Sequence, residues 1–195
     1  MKVGLFFGSF NPIHNGHLAI AKFMKEKIMF DQIWIIVSPA NPLKDKNILI
    51  PENDRLNMVQ LAIQDYVYLR VCDIEFLLPR PSYTINTLSH LKNQYKNYEF
   101  ALILGDDNMG NFCKWKEYEK ILEQHIIYVY PRTHKAFKHN FTHPHVVYVE
   151  APILPISSTK IRFLCQQGLS VAKYVPLPVI QYMKDNKLYL SSLIE

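Results

Sequence analysis

Val3-Gly4-Leu5-Phe6-Phe7-Gly8-Ser9-Phe10-Asn11-Pro12-Ile13-His14-Asn15-Gly16-His17 changes character twice along its length. Val3 to Phe7 is an apolar run of strand length, and about His17 to Met29 carries apolar residues at helical spacing. Between them Gly8 allows close backbone approach to a ligand, and Pro12 fixes the turn while removing one donor. Strand, polar turn and helix together form the opening of a βαβ unit. His14 and His17 stand three residues apart at the helix start, so both rings can face one side. A helix N-terminus adds free N–H groups and partial positive charge. The set is suited to phosphate oxygens, whose charge would favour the imidazolium form. The same pattern also fits two polar residues capping a helix, and a metal reading has no third ligand close in sequence.

Outward from this stretch the alternation continues. Strands are predicted at Ile33 to Ser38, Val67 to Val71, Phe100 to Leu104, Ile126 to Tyr130 and Val146 to Val149. Helices are predicted at Pro51 to Gln64, Thr84 to Gln94, Trp115 to Leu122, Ser158 to Gln167 and Leu177 to Asn186. This order predicts an α/β fold: a Rossmann-like, doubly wound, mostly parallel sheet with helices on both faces, in one domain over 1–195. Ligands of such sheets bind outside the carboxyl ends of the strands. The clusters Gly8 to His17, Asn41 to Lys44 and Gly105 to Asp107 all follow strands and so converge on one edge.

Composition narrows the function classes. Nearly half of the 195 residues are apolar and a fifth are charged, as in globular proteins with one sizeable core. Runs such as Ile33 to Val37 fall far short of the roughly 20 residues that span a membrane, and Met1 to Phe7 lacks the features of a signal peptide. Cys72, Cys113 and Cys165 form no CxxC pair, which fits a reduced, cytoplasmic setting. The formal charge of +5 suits an anionic partner, but Lys and Arg are scattered, so a small polyphosphate is expected rather than nucleic acid. His134, His139, His143 and His145 crowd one loop without thiolates at ligand spacing, and a solvated loop is the expected reading.

Taken whole, Gly8 to His17 resembles the signature of the HxGH nucleotidyltransferase superfamily. More narrowly it is similar to the bacterial nicotinate-nucleotide adenylyltransferases, whose pattern reads G-G-S/T-F-D/N-P-I/V/P-H-x-G-H. Phe7 stands where the first glycine is usual, and Asn11 where aspartate is commonest. Asn41-Pro42-Leu43-Lys44 resembles the family's N-P-x-K loop, which implies that Lys44 assists phosphate binding. Arg55 heads an R-x-x-M-x-x-L-A pattern and is expected to be structural. Pro81-Ser82-Tyr83-Thr84-Ile85-Asn86-Thr87-Leu88 resembles the segment that lines the pyridine nucleotide site. Physically, Ser82 or Thr84 can cap the helix there while N–H groups beyond remain open to an anion. Leu104-Gly105-Asp106-Asp107 followed by Trp115 resembles G-x-D…W. It implies an indole stacked on the pyridine, with Asp106 near the sugars. Ile156-Ser157-Ser158-Thr159-Lys160-Ile161-Arg162 resembles I-S-S-T-x-I-R, a second anion cradle at a helix start. Tyr174-Val175-Pro176 through Leu188-Tyr189 is similar to the family's closing helix.

The resemblance implies adenylyl transfer from ATP to nicotinate mononucleotide, giving the dinucleotide and pyrophosphate. It assigns catalysis to His14, His17, Lys44 and Arg162. ATP would be held by Gly8, Ser9, Phe10, His17, Gly105, Asp106, Ser158, Thr159 and Arg162. The mononucleotide would be held by Asn41, Lys44, Ser82, Tyr83, Thr84 and Trp115, with N–H groups around Thr84 on the nicotinate carboxylate. Mg²⁺ would arrive with ATP, with no metal site of the protein's own. Competing readings are a nicotinamide-mononucleotide or pantetheine-phosphate adenylyltransferase, and a non-catalytic nucleotide-binding module.

Overall fold

A computed structural model describes residues 1–39, 49–132 and 141–190. The opening stretch forms β1 (Lys2–Gly8) and α1 (Asn15–Ile28). Then come β2 (Gln32–Val37), α2 (Glu52–Ile63), β3 (Leu69–Cys72) and a short α3 (Ile74–Leu77). α4 (Thr84–Gln94) leads into β4 (Glu99–Gly105), followed by α5 (Asp106–Met109), a 3₁₀ turn (Phe112–Lys114) and α6 (Tyr118–Gln124). β5 (Ile127–Tyr130), β6 (Val146–Tyr148), α7 (Ser158–Gln166) and α8 (Leu177–Asp185) complete the order.

Most boundaries lie within two residues of the sequence expectation. The helix predicted from Trp115 instead begins at Tyr118, because Glu117 adopts a left-handed φ of 52° that the α-helix cannot contain. Val67, expected in the third strand, is almost fully exposed in the turn before it. α3, α5 and the 3₁₀ turn are too short to leave a periodic signal.

The described strands form one sheet in the order β3-β2-β1-β4-β5-β6, and every pairing in it is parallel. The fold is the expected doubly wound α/β arrangement, with the strand order reversing between β1 and β4. Strand alternation divides the core in two. Phe6, Ile33, Ile35, Ile103 and Tyr128 pack on one face with Met24 of α1, Met58 of α2 and Val179 of α8. Leu5, Trp34, Ile36, Leu102 and Val129 pack on the other with Leu88 of α4 and Ile121 of α6. A strand buried on both faces reads as a continuous apolar run, as Ile33 to Val37 does.

One side chain ties the sheet's carboxyl edge together. Arg55 of α2 is 1% exposed. Its Nη1 donates to the carbonyls of Ser9 (2.7 Å) and Ser38 (2.6 Å), its Nη2 to Pro39 (2.8 Å) and its Nε to Ile50 (3.2 Å). The segments leaving β1 and β2 and the entry to α2 are thus held by one planar fork, as the structural role read from the sequence requires. Arg55→Ala leaves four carbonyls without their donor and should lower the unfolding free energy by about 3 kcal/mol or more. Arg55→Lys should recover only part, since an ammonium lacks the fork. Urea titration measures both, and a loss below about 1 kcal/mol for the alanine variant would contradict the clamp.

Candidate active site

A cavity of about 900 Å³ opens where the strand order reverses, between Phe7–Gly8 of β1 and Leu104–Gly105 of β4. Its volume is at the upper end of small-ligand sites. Phe10 takes a left-handed φ of 46°, and the Asn11–Pro12 bond is cis. A Cβ on Gly8 would stand 2.8 Å from the Phe10 ring. The Phe10 ring thus occupies the side of Gly8 that a side chain would take, while Gly8 itself lines the cavity.

His14 is the N-cap of α1 and His17 lies three residues on. Their rings stack with centroids 3.7 Å apart and 18° between planes, so the expectation that they share a face is met. The His14 backbone N–H donates to His17 Nδ1 at 3.3 Å. That assigns the proton of a neutral His17 to Nε2, and His17 lines the cavity. His14 does not line it. The His14 ring is buried and faces the His17 backbone N–H in a reciprocal capping arrangement with His17. Burial, reinforced by the Arg132 charge, pushes the His14 imidazole down to about 3. In the structure His14 is thus neutral, and only an anion close by would favour the imidazolium expected with phosphate. Gly16 gives the ring its place: a Cβ there would stand 3.0 Å from His14 Nδ1.

α7 closes over the same turn. Ser157 is its N-cap, accepting from the Lys160 N–H at 3.2 Å. The Ser158 hydroxyl donates to the Pro12 carbonyl (2.9 Å), and Arg162 donates to the Asn11 carbonyl (2.8 Å) and to Thr159 Oγ1 (3.3 Å). Ser158, Thr159 and Arg162 all line the cavity with Ser9, Phe10 and Asn11. The I-S-S-T-x-I-R segment therefore fastens the turn as well as facing the space beside it.

The opposite wall is aromatic. Ser82, Tyr83, Thr84 and Trp115 line the cavity, with Trp115 packed on Phe112 and Lys116 Nζ 4.8 Å from the centre of the Tyr83 ring. Neither Ser82 nor Thr84 caps α4 as the sequence suggested. Tyr83 is the N-cap, without a side-chain bond, and Ser82 Oγ is buried and unpartnered. The first turn is secured instead by Thr87, whose hydroxyl donates to Glu75 Oε1 at 2.8 Å. Burial raises the Glu75 carboxyl, while hydrogen bonds from Thr87 and Ser38 pull it back.

At the end of β4, Gly105 and Asp107 line the cavity but Asp106 does not, its Oδ1 accepting from the Arg132 N–H at 3.2 Å. Asp107 Oδ2 pairs with Arg132 Nη1 at 2.7 Å, and Arg132 is a lining residue that sequence reading missed. The signal was present, since Arg132 follows the fifth strand as the other clusters follow theirs. Asn41 and Lys44 lie outside the described residues, as do His134 and His139. Of the other loop histidines, His145 donates its backbone N–H to His143 Nδ1 at 3.1 Å, and its ring meets the Leu122 carbonyl.

Residues 5–163 match the family model described as Cytidylyltransferase-like. A relative from Flavobacterium johnsoniae, described as "Probable nicotinate-nucleotide adenylyltransferase", is 48% identical over 97% of this chain and 99% of its own. A relative of the same description from Cytophaga hutchinsonii is 44% identical over 97% of this chain and 98% of its own. The chain belongs to the nicotinate-nucleotide adenylyltransferase family. Among solved structures, the Plasmodium falciparum nicotinic acid mononucleotide adenylyltransferase complexed with NaAD superposes with a TM-score of 0.79. It shares 22% identity over 96% of this chain and 97% of its own, a likeness of fold. No described helix is long and apolar enough to cross a membrane.

Two expectations follow for this member of the family. Gly16→Ala should tilt the His14 ring and lower kcat with little change in Tm, because crowding against the ring offsets the helix preference for alanine over glycine of about 1 kcal/mol. A kcat equal to that of the parent would show that the ring's place does not matter. The second concerns pH. An unfolded histidine takes up a proton near 6.5, whereas folded His14 stays neutral down to about 3. The unfolded state therefore binds the extra proton within that window, and stability falls as pH falls through it. The urea midpoint should drop more steeply below pH 6.5 in the parent than in His14→Gln, and equal slopes would refute the assignment.

Proposed function

We propose that the protein transfers the adenylyl group of ATP to nicotinate mononucleotide, giving nicotinate adenine dinucleotide and pyrophosphate in NAD biosynthesis. The observation that carries this is convergence. The phosphate-type groups (His17, Ser158, Thr159, Arg162) and the Ser82–Thr84 and Trp115 wall line one cavity at the reversal of strand order. The relatives' descriptions name the same reaction.

In this reading a phosphate oxygen of the mononucleotide attacks the α-phosphorus of ATP as the bond to pyrophosphate breaks. The attacking group is already an anion, so no general base is needed, and catalysis is alignment with charge stabilisation. His17 offers its Nε2 proton to the α-phosphate region. His14 supports that ring by stacking, while Lys44 and Arg162 share the negative charge. Ser9, Phe10, Gly105, Ser158 and Thr159 surround the ATP, with Gly8 and Asp106 acting through the backbone turns they form. Ser82, Tyr83 and Thr84 receive the nicotinate carboxylate on N–H and hydroxyl groups, Trp115 stacks on the pyridine, and Asn41 and Lys44 complete that end.

Mg²⁺ fits as an ion carried by the nucleotide. Of the lining carboxylates, Asp107 is paired with Arg132 and Glu75 is bonded to Thr87, and the described residues hold no cluster of three metal-binding side chains. When bound it would neutralise part of the triphosphate charge. The proposed setting is the cytoplasm, which the free thiols of Cys72, Cys113 and Cys165 suit.

Pyrophosphate release from ATP should require nicotinate mononucleotide, with a lower kcat/KM for nicotinamide mononucleotide. His17→Ala should reduce kcat on the order of a hundredfold, the scale for one transition-state donor. Release independent of any mononucleotide, or near-parental turnover in the His17 variant, would overturn the reading.

A further inference from the structure

The turn that carries His14 is held from the far end of the chain. Tyr189 donates its hydroxyl to Asn11 Oδ1 at 2.7 Å, across 178 positions of sequence. Asn11 is 4% exposed and lines the cavity. Its carbonyl accepts from Arg162 and the next carbonyl, that of Pro12, accepts from Ser158. Two consecutive residues of the turn thus receive three bonds from the C-terminal part of the molecule. Arg162 and Ser158 grip the backbone, and Tyr189 grips the side chain.

The backbone of the C-terminal segment is shaped for that grip. After α8 the Leu188 N–H returns to the Met183 carbonyl at 2.8 Å. Lys187 and Tyr189 take left-handed φ values of 51° and 60°. Left-handed φ is unfavourable for a bulky residue and persists only where surrounding contacts require it. Here it reverses the chain and brings the phenol back among α7, α2 and the turn. Burial raises the phenol far above its ordinary range, against the nearby Arg162 and Arg55 charges, so it remains a donor at every working pH.

We propose that Tyr189 is a positioning residue for adenylyl transfer: through Asn11 it fixes the turn that sets the stacked His14–His17 pair against the phosphates. This rests on the function proposed above. Small displacements of reacting groups are costly in rate, so a loosened turn should lower kcat more than it disturbs the aromatic wall.

The test is a double-mutant cycle on the full chain with Tyr189→Phe and Asn11→Ala, read as pyrophosphate release from ATP plus nicotinate mononucleotide, well below Tm. Tyr189→Phe is expected to lower kcat about tenfold, the effect of a modest misplacement, with KM for the mononucleotide little changed. The double variant should be no slower than the slower single. A parental kcat in Tyr189→Phe despite a lower Tm would make the bond merely structural and overturn the proposal. Additive losses would likewise overturn it, since Tyr189 would not then act through Asn11. If the parent protein itself releases no pyrophosphate, the functional reading fails first, and the two failures are told apart.

Discussion

A guanidinium buried as deeply as Arg55 has lost most of its water and must replace it with oxygen atoms. Desolvation accordingly shifts Arg55 downward from its ordinary value. The replacements come from the carbonyls of Ser9, Ser38, Pro39 and Ile50, which belong to segments that a sheet alone would leave free. β1 and β2 are paired only as far as Gly8 and Val37. Beyond that register the ladder ends, and Arg55 continues the connection with side-chain donors. The turn bearing Phe10, Asn11 and Pro12 starts one residue past Ser9, so its origin in space depends on this clamp.

The cavity's electrostatics follow from what is already paired. Arg132 is answered by Asp107, whereas Arg162 meets a carbonyl and a hydroxyl but no carboxylate among the described ion pairs. Lys114 and Lys116 add positive charge along the opposite wall. The balance favours a polyanion, although His14 itself is kept neutral by burial. A neutral imidazole is still a hydrogen-bond donor, and its charge state would respond to a phosphate rather than attract one. In the proposed reaction, attraction at distance would fall to the arginines and lysines, and alignment at contact to His17 with His14 stacked behind it.

Local signals were legible in the sequence. Apolar runs of strand length located every described strand, and the polar breaks after β1 and β4 marked the cavity because ligands of this sheet class meet carboxyl ends. That His14 and His17 share one side followed from a spacing of three at a helix start, whereas their stacking is seen only in the structure. Pairings between distant side chains were not legible. Arg132 with Asp107 spans 25 positions and Tyr189 with Asn11 spans 178, and no periodicity encodes which donor meets which acceptor. The α4 cap failed for a related reason. Ser82 is a good capping residue by composition, yet the turn is secured from outside by Glu75 on Thr87, a bond between separate helices.

Phe7 shows how strand geometry converts an unusual residue into a local effect. Alternation along β1 sends Phe6 to the face packed by α1 and α2, and Phe7 to the face shared with Leu5. On that side Phe7 joins Tyr83 and Trp115 as a partly buried ring around the same core cluster. All three line the cavity. Phe7 therefore adds aromatic surface to the Tyr83–Trp115 wall. The glycine the turn does need is Gly8, where a Cβ would strike the Phe10 ring. Phe10 in turn packs edge-on to His17 with centroids 5.0 Å apart. A side chain at position 8 would thus be felt at the imidazole, whereas one at position 7 is absorbed by the opposite wall.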